Sequence, residues 1–250
     1  MNDDRPPDEQ PGPTKDVPHP GGRELVGLAA VPADRYGEGY PHFYLRADLA
    51  DAYLRAYRQV RALGGILTSS GAIRALGAEA APGRSGTSLH YTGRALDLCI
   101  HTGMQGPADP YLVVRDGGPD EAPLWSVLCV STAPDPADPL YDESLLREGE
   151  VEAALWREGR GCRTITRRAV WFCLTDVLAA QGWHRIPARP DWRTSYLSVE
   201  WWHFQHHAGL REGETRFGDE LRRVWPADRV ERSGLALDAV WRGLSFEAAE

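Results

Sequence analysis

The sequence is poor in the features that define several large classes of protein. No apolar run reaches the roughly 18 residues that a membrane-spanning helix requires, so we expect no membrane segment. No block of five or six like charges occurs, and the net charge of -8 lacks the basic excess typical of nucleic-acid-binding proteins. We therefore expect neither a membrane nor a nucleic acid as a partner.

Cysteine is also scarce, and its spacing argues against a structural zinc site built from thiolates. The chain has four cysteines and no C-x-x-C pair. Residues 1–22 have no apolar core and no small-residue cleavage site, so they do not resemble a secretory signal peptide. These observations predict free thiols and a cytoplasmic location. The cysteines are Cys99, Cys129, Cys162 and Cys173.

Composition divides the chain into a tail and a body. Residues 1–22 are rich in proline, aspartate and glycine, which predicts a disordered N-terminal tail. The chain is 42% hydrophobic and 26% charged, as is ordinary for globular proteins. Residues 23–250 show no internal repeat and are long enough to bury one good core. We expect them to form a single domain.

Hydrophobic periodicity predicts an α+β fold with a central, mainly antiparallel sheet and flanking helices. Helices are expected in the segments "RADLADAYLRAYRQVRALGG", "TITRRAVWFCLTDVLAAQG" and "FGDELRRVW", and a further one at "LALDAVWRGL". Strands are expected in "GILTSS", "RALDLCIH", "PYLVVRD", "LWSVLCVST" and "YLSVEWWHFQH".

Two clusters of polar residues have the composition of a metal site. The first is S-x-H-x-x-G-x-A-x-D over residues 88–97, and the second is E-W-W-H over residues 200–203. Zinc accepts histidine nitrogen and carboxylate oxygen, and a catalytic site uses three protein ligands with the fourth position left to water. His90, Asp97 and His203 are the candidate ligands.

The spacing within both clusters constrains their local structure. His90 and Asp97 are seven residues apart, so in one regular strand they would face opposite sides of the sheet. The site therefore requires His90 on a loop or bulge ahead of the strand, with Gly93 supplying unusual backbone angles. Glu200 precedes His203 by three residues, also an odd spacing, so one of the two must lie at a strand end or bulge. Glu200 is the candidate base for a metal-activated water.

The two segments "SLHYTGRALD" and "EWWHF" resemble the zinc D-Ala-D-Ala peptidase family, which includes the dipeptidases of vancomycin resistance and the D,D-carboxypeptidases. The wider superfamily includes lysostaphin-type and hedgehog-like folds. Every fixed position of the family's first motif is matched, and its E-x-W-H is matched at residues 200, 202 and 203. The likeness covers roughly residues 60–100 and 165–207. It implies a hedgehog/D,D-peptidase-like zinc fold that binds one Zn²⁺ per chain through His90, Asp97 and His203, with Glu200 as general base.

The resemblance also suggests substrate contacts. The family carries an arginine in an S-G-Y-R-like segment ahead of the first histidine. Here "SSGAIRAL" keeps an arginine, Arg74, without the tyrosine and with the spacing one residue longer. By resemblance Arg74 would stabilise the oxyanion, which a fixed guanidinium does well. Ser88 is the candidate for holding the substrate carboxylate, and Trp202 is expected to contact the substrate.

The resemblance fades between the two motifs. Asp97 and His203 are 106 positions apart, farther than a minimal family member requires. Residues 102–163 are therefore expected to be an insertion or a replaced substrate-recognition region. Within it, residues 133–161 are acidic and proline-punctuated at first and then loosely helical. The expected reaction is zinc-dependent hydrolysis of an amide in a D-Ala-D-Ala-type dipeptide or a peptidoglycan-stem-like peptide by a metal-activated water.

Two other functions remain open at this level. One is a cytoplasmic tailoring enzyme of peptide-like natural-product biosynthesis that reuses the zinc peptidase fold. The other is a zinc-binding module without catalysis. Glu200 counts against the module, because a structural zinc site has no use for a base and closes its fourth position with a ligand. Arg74 also has a simpler interpretation as a surface arginine, given the altered spacing.

Overall fold

The computed structural model describes residues 27–37, 39–78 and 85–248, and the tail predicted over residues 1–22 lies outside them. The described chain is a mixture of short helices and antiparallel sheets, which confirms the α+β class. No helix within those ranges is both long and apolar enough to cross a bilayer.

Eleven strands and four α-helices make up the regular structure of the described residues. The strands are β1 (Leu28–Pro32), β2 (His42–Arg46), β3 (Ala95–Asp97), β4 (Tyr111–Arg115), β5 (Trp125–Val130), β6 (Arg147–Arg157), β7 (Gly161–Cys173), β8 (Trp183–Arg185), β9 (His203–His206), β10 (Val240–Arg242) and β11 (Ser245–Glu247). The helices are α1 (Ala50–Ala62), α2 (Leu174–Ala179), α3 (Phe217–Arg222) and α4 (Ala227–Glu231). Two sheets are hairpins, β1-β2 and β10-β11, and the others have the orders β3-β9-β8 and β4-β5-β7-β6.

The long helix predicted near the start of the body is confirmed. Helix α1 buries Tyr53, Ala56 and Val60, which are spaced along one helical face. Gly64 follows it with a φ of +76°, and a Cβ there would lie 2.4 Å from the backbone nitrogen of Pro134. Glycine is therefore required both by the backbone angle and by the close approach of a second segment.

The four-stranded sheet contains one confirmed hairpin and one large correction. Strands β4 and β5 pair as expected from "PYLVVRD" and "LWSVLCVST". The helix predicted over residues 164–182 is wrong in its first half, because β7 runs to Cys173 and only Leu174–Ala179 is helical. Burial in β7 alternates with a period of two from Thr164 to Val170, as a strand requires. Its β-branched residues favour a strand once β6 offers a partner.

Strand β6 corrects a second expectation. The loosely helical structure expected toward the end of residues 102–163 is wrong, since Arg147–Arg157 pairs with β7 over 11 positions. Glu148, Glu150 and Glu152 fall on one side and Val151 and Ala153 on the other, the alternation of a half-buried strand. Whether residues 102–163 are an insertion relative to a family stays a prediction.

The three-stranded sheet is shorter than the sequence pattern indicates. The strand expected over residues 196–206 is confined to β9, and a 3-10 turn occupies Tyr196–Ser198. "GILTSS" is not a strand, although Gly71 forms an isolated bridge with Asp97. Its backbone bonds instead to a mixture of side chains and loop backbone: the Leu67 N–H donates to Asp34 Oδ2, and the Ser69 carbonyl accepts from the N–H of Tyr40. Because its backbone N–H and C=O groups are hydrogen-bonded in this way, the segment does not require pairing with a β-strand.

The C-terminal region holds one confirmed helix and one correction. Helix α3 lies within the predicted "FGDELRRVW". The helix predicted at "LALDAVWRGL" is wrong, because its last residues form the β10-β11 hairpin with Gly243 in the turn at a φ of +58°. Trp241 and Phe246 from this hairpin pack into a core cluster with α3. Burial of these two rings outweighs the weak helical spacing of the segment.

Candidate metal centre

Three elements bring the predicted ligands together. Asp97 ends β3 and His203 begins β9, and these two residues are direct partners in the antiparallel ladder. His90 lies ahead of β3 in a 3-10 turn, Leu89–Thr92. The group is the only one within residues 27–37, 39–78 and 85–248 in which three such side chains lie close enough to hold a metal ion.

The first motif builds the turn that presents His90. The Ser88 hydroxyl caps the turn by accepting from the backbone N–H of His90 at 3.4 Å. Gly93 ends the turn with a φ of +65°, and a Cβ on it would lie 2.9 Å from the backbone nitrogen of Arg46. The loop ahead of the strand and the special role of Gly93 are therefore as expected.

Packing holds the turn and the strands from two sides. Leu89 and Tyr91, which flank His90, are buried in the core cluster formed with α3 and the C-terminal hairpin. Leu96 and Phe204, the neighbours of Asp97 and His203, are buried in the larger cluster that includes α1. The ligand group therefore sits where the two cores meet, which restricts the motion of its side chains.

The ligand atoms form a nearly equilateral triangle. His90 Nε2 lies 3.3 Å from Asp97 Oδ1, His203 Nδ1 lies 3.0 Å from the same oxygen, and the two nitrogens are 3.1 Å apart. Ligand atoms about 2.0–2.1 Å from a tetrahedral zinc ion are about 3.3 Å from one another. The triangle needs to expand by only a few tenths of an ångström to hold such an ion.

Hydrogen bonds to the outer ring nitrogens of both imidazoles favour the tautomers that metal binding requires. His90 Nδ1 donates to the carbonyl of Ala72, which leaves Nε2 facing the triangle, where it can bind a metal or carry a proton toward Asp97. His203 Nε2 lies 3.3 Å from Gln205 Oε1. The amide of Gln205 is oriented by its Nε2, which donates to the carbonyl of Leu244 at 2.8 Å. His203 can therefore donate through Nε2 and present its Nδ1 lone pair to a metal ion, as metal-bound histidines do. With a proton in place of the metal, Nδ1 donates to Asp97 Oδ1 instead.

The electrostatics of the group favour a cation. Burial works to raise the pKa of Asp97, but the charge of His90 and the hydrogen bonds from both histidines outweigh it and hold that pKa well below its usual range. Burial works to lower the pKa of His203, but the hydrogen bond and charge of Asp97 outweigh it and raise that pKa. An ionised, half-buried carboxylate facing two imidazoles favours positive charge between them, from a proton or a metal.

Glu200 enters the same site through an unusual backbone conformation. Its φ is +57°, one of two positive values among the described residues other than glycine. Left-handed backbone at such a residue stores of order 1–3 kcal/mol and is concentrated at functional sites. The conformation breaks the strand expected here and places the carboxylate in the pocket beside the ligands. Arg189 Nη2 pairs with Glu200 Oε1 at 2.6 Å.

All seven residues predicted for the site line one pocket of about 250 Å³. Arg74, whose spacing departs from the family segment by one residue, is among them, and its Nη1 is buried without a hydrogen-bond partner among the described residues. Its guanidinium carbon lies 5.2 Å from the centre of the Tyr91 ring. A guanidinium with one buried, unmatched N–H suits an anionic or carbonyl group of a ligand. The seven are Arg74, Ser88, His90, Asp97, Glu200, Trp202 and His203.

Four polar residues of the pocket were not predicted, and two of them, Gln205 and Arg189, bond to predicted site residues. The other two are Ser85 and Ser245. Gln205 follows His203 by two positions in β9, so strand alternation puts both on one face and makes Gln205 detectable in hindsight. Arg189 lies in the segment between β8 and the 3-10 turn Tyr196–Ser198, and no spacing rule connects it with Glu200.

Comparison with protein-family models, with curated proteins and with solved structures finds no match to the chain. The function must therefore be inferred from the geometry of the site and from the resemblance of its two motifs. The geometry by itself establishes a buried His90–Asp97–His203 group that could bind a metal ion.

Proposed function

We propose that the chain is a zinc peptidase with a hedgehog/D,D-peptidase-like fold. Its reaction would be hydrolysis of an amide bond in a D-Ala-D-Ala-type dipeptide or a peptidoglycan-stem-like peptide. The observation that supports this most strongly is the convergence of a three-ligand group, a carboxylate and a guanidinium in one pocket. Such a set supplies each part that metal-assisted amide hydrolysis requires.

Zinc is the metal that suits these donors best. Two imidazole nitrogens and one carboxylate oxygen are the mixed ligands of catalytic zinc sites, whereas calcium and magnesium favour six or more oxygens. The protein offers three ligands and an adjoining pocket, which leaves room for a fourth ligand from solvent or substrate. Zinc bound there would polarise the substrate carbonyl and lower the pKa of a bound water towards about 7.

Glu200 would move the protons of the reaction. Its carboxylate takes a proton from the attacking water and delivers it to the leaving amine. Arg189 pairs with Oε1, and a carboxylate has acceptor sites on both oxygens, so Glu200 can accept that proton while the ion pair is kept. The ion pair also restricts the rotation of a side chain whose backbone is already held in the left-handed region. Arg189 is therefore a positioning residue for the base.

The remaining pocket residues would bind the substrate. Arg74 carries the buried, unmatched N–H, which suits the carbonyl oxygen as negative charge develops on it. The Ser88 oxygen accepts from the N–H of His90, so its own O–H can be donated to a substrate carboxylate. Trp202 is packed against Tyr196 and Trp201 and offers a rigid apolar wall.

Metal content and turnover test the proposal together. Purified protein should hold about one zinc per chain by elemental analysis. It should cleave D-Ala-D-Ala or a longer stem peptide, and a chelator should stop the reaction. Zinc-loaded protein that cleaves none of these peptides would contradict the proposal and leave the binding-module or tailoring function. Full activity in metal-free protein would contradict the role of the metal.

The role of Glu200 has its own test. Glu200→Gln should retain zinc and reduce kcat by about 10²–10⁴-fold, the usual contribution of a general base. Glu214→Gln is the matched control, because Glu214 is an exposed partner of Arg211 outside the pocket. Normal turnover in Glu200→Gln would place the base elsewhere.

A further inference from the structure

Two exposed leucines stand at the mouth of the metal pocket. Leu197 is 51% exposed and Leu244 is 43% exposed, and both line the pocket that holds the ligand group. Only two other large hydrophobic residues in the described chain are comparably exposed, Leu140 and Val170, and neither lines this pocket. Single exposed leucines are ordinary, but two that converge over one polar site are a sign of an apolar ligand.

The two leucines come from separate parts of the fold. Leu197 lies in the 3-10 turn Tyr196–Ser198, three residues before Glu200, and Leu244 lies in the turn of the β10-β11 hairpin. Ile186 and Pro187, from the segment after β8, add apolar surface to the same pocket. Together these four residues, the apolar rim, surround the polar group formed by the ligands, Glu200 and Arg74.

Hydrogen bonds hold the rim in place before any ligand binds. The carbonyl of Leu244 accepts from Gln205, which also bonds the ligand His203. The Tyr196 hydroxyl donates to the carbonyl of Ile100 at 2.7 Å, which anchors the turn that carries Leu197. The rim is therefore preformed and coupled to the metal group, as small-ligand sites generally are.

The size of the pocket limits what the rim can contact. A volume of about 250 Å³ lies below the roughly 300–1,000 Å³ typical of sites for drug-sized ligands, so a short peptide segment is the fitting occupant. The methyl group of alanine would use little of the rim. A larger aliphatic side chain would remove more apolar surface from water, at about 0.8 kcal/mol per buried CH₂.

We propose that the site selects peptides in which a bulky apolar side chain flanks the scissile amide, and that Leu197 and Leu244 contact that side chain. This inference rests on the proposed peptidase function and names its substrate class. D-Ala-D-Ala then becomes a minimal substrate of the site and a poorer one than its leucine-containing counterparts.

Kinetics on three dipeptides test the inference. Zinc-loaded protein is assayed with D-Ala-D-Ala, D-Leu-D-Ala and D-Ala-D-Leu. One of the leucine peptides should have a kcat/KM about tenfold above that of D-Ala-D-Ala, near the lower end of the range for added methylenes in an apolar pocket. Leu197→Ser and Leu244→Ser should each bring that ratio towards one. Leu140→Ser, the control at a comparably exposed leucine outside the pocket, should leave the ratio unchanged.

A binding measurement separates failure of the inference from failure of the peptidase function. Titration calorimetry on zinc-loaded Glu200→Gln gives dissociation constants for the same three peptides without turnover. Tighter binding of a leucine peptide that is lost in the rim variants supports the inference even if no peptide is cleaved. Equal cleavage of all three peptides would overturn the inference and leave the peptidase function intact. Equal binding, or no binding, of all three would also overturn it.

Self-association is the competing use of an exposed apolar rim. Sedimentation velocity of the native protein should show the same species as Leu197→Ser and Leu244→Ser. A dimer that dissociates in both rim variants would assign the rim to a second copy of the chain and overturn the inference.

Discussion

The two larger sheets of the molecule are built in opposite ways. Strands β3, β8 and β9 contain three or four residues each, and two of them carry ligands. Strands β6 and β7 contain 11 and 13 residues and pair over 11 positions. Among the described residues, no member of the four-stranded sheet lines the metal pocket.

The difference shows what short strands allow. A long ladder imposes strict alternation, so residues an odd number of positions apart must face opposite sides. Strands that end at the site release their neighbours from this rule. His90 reaches the triangle from a turn before β3, and Glu200 reaches it through a left-handed residue before β9. The small sheet thus gains a polar site at the expense of ladder length, and the large sheet contributes stability.

The largest expected effect that separates the two sheets is loss of the metal. Asp97→Asn removes the only charged ligand of the group and should lower zinc affinity by more than the 10–100-fold typical of outer partners. Asp142→Asn, ahead of β6, keeps its turn-capping oxygen and should retain zinc. Competition with a fluorescent chelator measures both affinities. Equal affinities in the two variants would remove Asp97 from the ligand set.

A smaller loss of zinc affinity is expected for a residue that bonds a ligand without binding the metal itself. Gln205→Leu removes the oxygen that holds the His203 proton on Nε2, and it should weaken zinc binding by about 10–100-fold. Gln181→Leu is the control, since its amide only accepts from Arg55 at the surface. The same chelator competition gives the result. Unchanged affinity in Gln205→Leu would show that the tautomer of His203 is set by another group.

A core substitution in the four-stranded sheet is expected to lower the stability of the protein without changing its affinity for zinc. Leu112 is a buried residue of β4 in the cluster on one face of that sheet. Leu112→Ala should lower the free energy of unfolding by about 2–5 kcal/mol, from lost burial and a residual cavity. Denaturant unfolding gives this value, and zinc affinity of the folded variant should equal that of the native protein. A large drop in zinc affinity would instead couple the two sheets.

The smallest effect concerns acid stability of the small sheet. Burial lowers the pKa of His206 to about 4, with help from the charge of Arg94, and burial lowers that of His207 to about 4, with help from His184. Free histidine titrates near 6.5, so between about pH 4 and 6.5 the unfolded chain binds more protons than the folded one. Their contribution to stability is therefore complete above about pH 6.5 and is lost as the pH falls toward 4.

Proton NMR of chelator-treated protein should show two imidazoles titrating near pH 4. His207→Asn should reduce the fall in unfolding free energy between pH 6.5 and 4. Ring resonances of both histidines that titrate near 6.5 would contradict this expectation.

The residues of the candidate metal site could be predicted from the sequence, because few residue types can bind a metal or act as its base. The ligand candidates, Gly93 and the strand-end position of Glu200 follow from donor chemistry and strand geometry, and the structure brings all of them together. The α+β class follows from mixed periodicities. The segment from Thr164 to Cys173 was misassigned because its apolar residues also fit a helical spacing. Pairing with β6 decides between strand and helix for this segment. Residues of β6 lie outside the local window in which hydrophobic spacing is assessed.

Residue types and spacing alone thus determine which side chains can bind a metal and that His90 and Glu200 must leave the regular strand. Pairing between β3 and β9 decides that two ligands 106 positions apart become neighbours. Folding also adds partners that spacing does not reveal, such as Arg189 on Glu200 and the leucines of the rim. The physical reason is range: donor chemistry and backbone angles act within a few residues, whereas burial and pairing depend on whichever distant segments pack together.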